Sequence, residues 1–135
     1  MRKNIVRFWT WFIEHETLLA DINEETHLDI LHLLNRQIET IHDDLIVELY
    51  RENPESKQKM IISADGIVDA FPAVIETIKA APILERWEFI AFRQPMGTQF
   101  QLDVNGKIIS TDELFYTYEL IDKESMGMVL YCKEF

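Results

Sequence analysis

A chain of 135 residues, 47% hydrophobic and 11% aromatic, has the length of one domain and enough apolar side chains to bury a core without disulfide or metal support. Its 24 acidic against 13 basic residues give a net charge of −11. That argues against sequence-independent nucleic-acid binding and against an anionic membrane surface, both of which are held by Lys and Arg, and it permits a basic protein as partner.

The N-terminal stretch "MRKNIVRFWTWFIEHE" starts with positive charge and continues with aromatics, as a signal peptide can. Arg7 interrupts the apolar run, Glu14 and Glu16 end it, and no small-residue cleavage site follows. No stretch reaches the ~20 apolar residues of a membrane span, so the expectation is a cytoplasmic protein. Residues 3–20 repeat with helical period. Ile5, Phe8, Phe12 and Leu19 cluster, with Trp9 and Trp11 on either flank, and Lys3, Arg7, Thr10, Glu14 and Thr17 lie opposite. The apolar arc is wider than one packing surface needs. Trp9 and Trp11 are therefore candidate partner-binding residues, with burial against a sheet as the alternative.

Residues 26–42 give a second helix, with Thr26 as cap and Ile30, Leu31, Leu34, Ile38 and Ile41 as its stripe. The short polar link "DINEE" predicts that the two helices pack as an antiparallel hairpin. The period then changes to two. "LIVELYR" (45–51) and "KMIISA" (59–64) read as strands of an antiparallel hairpin. A third helix over 70–81 has Asp69 as its expected cap, Pro72 in its first turn and Pro82 as its stop. "WEFIAFR" (87–93), "TQFQLDV", "KIIS", "LFYTYELI" and "MGMVLYCKEF" follow as strands, with "VNGK" (104–107) as a hairpin turn. Helices first and strands mostly later predict one α+β domain over residues 1–135. In it an N-terminal helix hairpin packs on a mostly antiparallel sheet containing one βαβ crossover.

The crossover singles out "IISADGIVDAFPAV" (61–74). Parallel strands end on the same sheet edge, which brings Asp65 and Gly66 near Arg93 and Gln94. That edge is the usual place for a ligand in such units. Asp65, Gly66, Arg93 and Gln94 are therefore candidate ligand-binding residues. The alternative is an Asp65–Arg93 ion pair that only fixes the corner, since one acid and one base make no mechanism.

The other chemistry is sparse. Cys132, the one cysteine, sits in an apolar run and excludes an intramolecular disulfide or a CxxC motif. The four histidines, His15, His27, His32 and His42, lack HxxxH or HExxH spacing, and no zinc set can be assembled. The acids Glu14, Glu16, Asp21, Glu24 and Glu25 lack the D-x-D-x-D-G pattern of a calcium loop. No GxSxG, Walker A or GxGxxG motif occurs. No metal and no cofactor is expected.

The words "FWTWFIEHE", "IISADGIVDAFPAV", "AAPILERWEFIAFRQP" and "LFYTYEL", in that order, resemble a family of small uncharacterised bacterial proteins. The resemblance covers most of the chain. It implies a bacterial cytoplasmic α+β domain, and relatives that continue past this end with a further helix. It implies no activity. The expected function is a non-catalytic binding or regulatory domain acting through protein contacts, an inhibitor or immunity-type partner of a basic protein being one form. The alternative is a small-molecule site, binding or catalytic, at the Asp65/Arg93 edge.

Overall fold

The structure is a computed structural model and describes residues 1–95, 97 and 99–132. It is α+β, and the chain divides into two compact units, Met1–Arg93 and Gln94–Phe135.

The first unit opens with three helices, α1 (Arg2–Glu14), α2 (Glu16–Leu19) and α3 (His27–Ile38). The single helix expected over 3–20 is broken at His15. There φ is −106° and ψ is 6°, and the imidazole Nδ1 lies 2.8 Å from the Trp11 carbonyl, so the ring engages a carbonyl of the preceding turn. Thr26 does not cap α3 with its side chain. Its hydroxyl accepts from the Asn23 N–H at 3.0 Å and donates to the Asp21 carbonyl at 2.9 Å, which closes the link between α2 and α3 instead. Asn4 near the start of α1 donates to the Thr40 carbonyl beyond the end of α3 at 2.7 Å, as antiparallel neighbours do.

Strands β1 (Ile46–Tyr50), β2 (Gln58–Ser63) and β3 (Trp87–Ala91) form a sheet in that order. β1 and β2 are antiparallel. β2 and β3 are parallel and adjacent, joined through α4 (Phe71–Lys79) in the expected βαβ crossover. Asp69 does not cap α4. It lies inside a 3-10 turn, Val68–Ala70, that leads into the helix, and Pro72 is the second helical residue, where its missing N–H costs nothing.

Alternation along the strands turns Val47, Met60, Ile62 and Trp87 toward the helices, where they are buried with Phe8, Phe12, Leu34, Ile38 and Val74. Phe12 is the hub, meeting Trp87 and Phe89 edge-on at 4.9 and 5.3 Å. The edge strand β1 is covered by α3. The Asn35 amide accepts from the Val47 N–H at 2.8 Å and donates to the Val47 carbonyl at 3.3 Å, satisfying backbone groups that an edge strand leaves open. At the start of β3, Arg86 and the buried Trp87 indole both donate to the Glu16 carboxylate, which ties β3 to α2.

The second unit holds two antiparallel hairpins, β4–β5 (Gln101–Val104 with Lys107–Ser110) and β6–β7 (Leu114–Leu120 with Met126–Cys132). Asn105 and Gly106 take φ of 58° and 80°, as the expected turn after Val104 requires. The last strand, read from the sequence over 126–135, runs to Cys132, and its final three residues lie outside the described ones. Among the described residues three of the four strand pairings are antiparallel, spread over three small sheets. Among the described residues no helix is long and apolar enough to cross a membrane.

Candidate functional site

Two places in the chain present unspent chemistry or surface. The first is the corner after β2 and β3. Asp65 and Gly66 both have positive φ, 46° and 87°, and the Ile67 N–H closes the turn on the Ala64 carbonyl at 2.8 Å. β3 ends at Ala91, and Phe92 follows with φ of 62°, an unusual conformation for an aromatic residue. It is held by an N–H bond to the Ile62 carbonyl at 2.8 Å and by edge-on packing against Phe71 at 5.0 Å. The bend delivers Arg93 to Asp65, with Nη1 to Oδ1 at 2.8 Å.

The parallel register therefore brings Asp65 and Arg93 together, and it adds a residue the sequence did not single out. Glu48, on β1 opposite Ile61, accepts from Arg93 Nε at 2.7 Å. The guanidinium is held in its charged form more firmly than usual, first by the Glu48 hydrogen bond and then by that from Asp65. Two carboxylates share one cation, so the cluster keeps a negative charge in excess and does not attract an anion. All three side chains are more than a third exposed, Arg93 at 53%. The guanidinium, held charged and engaged on two sides, is itself neither a nucleophile nor a proton donor near neutrality. Gln94 is exposed and opens the second unit. Two clefts in the first unit have other linings. One runs along α3 past Asp29, His32 and Arg36. The other, of about 240 Å³, lies among Asn23, His27, Leu49, Arg51 and Gln58.

The tryptophans part company. Trp9 is 4% exposed, and its indole N–H donates to the Thr77 carbonyl at the end of α4 at 2.8 Å. It is a core residue and not a contact surface, because α4 lies against that flank of α1 and needs its last carbonyls satisfied. Trp11 is half-buried and stacks on His15 at 4.9 Å. Among the described residues no three His, Cys, Asp or Glu side chains are gathered as a metal site would need.

The second place is the β6–β7 hairpin. Cross-strand register sets Tyr116 opposite Leu130, Tyr118 opposite Met128 and Leu120 opposite Met126, all on one face. These six side chains are between 55% and 71% exposed. At that exposure the face is on the order of 600 Å² of largely apolar surface, the upper end of what a soluble monomer leaves open. The other face carries Phe115, Val129 and Tyr131, also more than half exposed. The strands were legible from the sequence. Their exposure was not, since strands rich in apolar and aromatic residues normally signal burial.

Comparison with known protein families, with characterised proteins and with solved structures finds no match.

Proposed function

We propose that this chain is a non-catalytic cytoplasmic binding domain that acts through protein contacts, with an inhibitor or immunity-type role toward a basic protein as the concrete form. The observation that carries the reading is the apolar face of Tyr116, Tyr118, Leu120, Met126, Met128 and Leu130, more than half exposed on every side chain. Aromatic and methionine side chains on a pleated surface are the usual anchors of protein interfaces. Acids flank the hairpin in sequence, Glu113 before β6 and Asp122 and Glu124 beside Lys123 in its turn, on a chain of net charge −11, which favours a basic partner and speeds encounter with it. The engaged Arg93 adds weight against a small-molecule site at the other corner.

The test is capture of proteins from a bacterial lysate on the tagged chain at low and high salt, beside a Leu130→Glu variant. The expected result is a basic protein retained saturably at low salt, weakened by salt, and lost from the variant. A basic protein bound equally well by Leu130→Glu, or no retained protein at all, would contradict the reading.

A further inference from the structure

The outer edge of β7 points to a specific partner for the hairpin: we propose that a second copy of this chain pairs with β7, joining two hairpins into a four-stranded antiparallel sheet. This rests on the reading of the hairpin as a contact surface. Among the described residues β6 and β7 form a sheet of two strands, each paired with the other alone. A two-stranded sheet is marginal in water, whereas three or more strands with an apolar face are independently stable. A long, uncharged, exposed edge strand is a template for pairing with another chain.

Charge selects β7, not β6, as the edge open to a second copy. A chain of net charge −11 repels its own copy over most of its surface. β7, Met-Gly-Met-Val-Leu-Tyr-Cys, carries no charged residue, while β6 carries Glu119. Over Met126–Cys132 two copies can thus approach without opposing like charges. An antiparallel two-fold centred on Val129 sets Met128 opposite Leu130 of the second copy and Met126 opposite its Cys132. The apolar side chains of β7 then meet across the new pairing on one face. The same register sets Gly127 opposite Tyr131, an aromatic ring covering a strand position that has no side chain. The two apolar faces become one continuous surface of twice the width, which still faces outward to receive the heterologous partner.

The test uses the two-fold itself. Sedimentation of wild type over a concentration series is compared with Val129→Glu, Val129→Lys and an equal mixture of the two. The pairing predicts that wild type dimerises and that each variant alone dissociates at concentrations where wild type is paired, since it sets its own charge against itself. It also predicts that the mixture recovers the dimer as a heterodimer. Recovery in the mixture further shows that both variants remain folded. A monomeric wild type at all concentrations overturns the pairing, as does a dimer that both variants retain or a mixture that fails to recover. The lysate experiment separates the two failures. If wild type is monomeric and still holds a basic partner that Leu130→Glu loses, the second copy is wrong and the contact reading stands. If it holds none, both fall.

Discussion

Replacing Trp9 with phenylalanine tests whether the aromatic first helix is core or surface. Trp9 is 4% exposed, packs edge-on against Phe89 at 4.7 Å and donates its indole N–H to the Thr77 carbonyl at 2.8 Å. That carbonyl belongs to the last turn of α4, where the helix can no longer supply a partner. The Ala81 N–H goes to Ile78 instead. Phenylalanine keeps part of the ring but removes the donor and leaves a void. The smaller ring gives up about 1–1.5 kcal/mol of buried apolar contact. Leaving the carbonyl buried and unpaired adds roughly 1–3 kcal/mol. The expected loss is about 2–4.5 kcal/mol. Trp11→Phe, at a half-buried site against His15, should cost about 1 kcal/mol or less. Equilibrium urea unfolding followed by far-UV circular dichroism reads both, without depending on the fluorophores being changed. If Trp9→Phe costs no more than Trp11→Phe, Trp9 is not the buried strut that the structure describes.

Arg93→Met leaves Glu48 and Asp65 unpaired, but all three side chains are solvated, so the urea midpoint in the same unfolding assay should stay close to that of wild type, and that of Trp9→Phe should lie further from it. Gly66→Ala places a Cβ where nothing lies within 4 Å, at φ of +87°, so its cost is backbone strain alone, about 1–2 kcal/mol in unfolding free energy. Asp122 accepts from the Glu124 and Ser125 N–H groups at 2.8 Å each, and hydrogen bonds from Ser125 first, then Glu124, hold its carboxyl below the usual aspartate range. A depressed folded pKa stabilises the β6–β7 turn above the unfolded value, and that contribution is lost as pH falls through the folded one. The amide resonances of Glu124 and Ser125 should therefore move together on acidification, and they should not do so in Asp122→Asn.

Much of the first unit was legible because its periodicities are strong. The stripe of α3, the alternation of β1 and β2 and the strand–helix–strand spacing led directly to the parallel β2–β3 pair, and from there to Asp65 beside Arg93. Glu48 was not legible. It reaches Arg93 only through the antiparallel register that sets it opposite Ile61, and nothing local encodes that register. The caps at Thr26 and Asp69 failed for a related reason. Both are good capping residues by type, but the hydroxyl of Thr26 is taken by the loop before it, and a 3-10 turn moves the start of α4 past Asp69. Helical periodicity gave α1 an apolar arc too broad for one neighbour. Only tertiary packing decides that the Trp9 flank is covered by α4 while Trp11 rests on His15. The hairpin at the other end inverted the usual inference, because its apolar residues are exposed rather than buried.

The most direct test sets the two candidate places against each other in one experiment. Binding of the captured basic protein is measured by titration calorimetry for wild type, Arg93→Met and Met128→Glu. The account predicts that Arg93→Met binds like wild type and that Met128→Glu, with a charge in the middle of the apolar face, loses binding. Retained binding in Met128→Glu together with loss in Arg93→Met would contradict it and move the functional site to the corner of Glu48, Asp65 and Arg93.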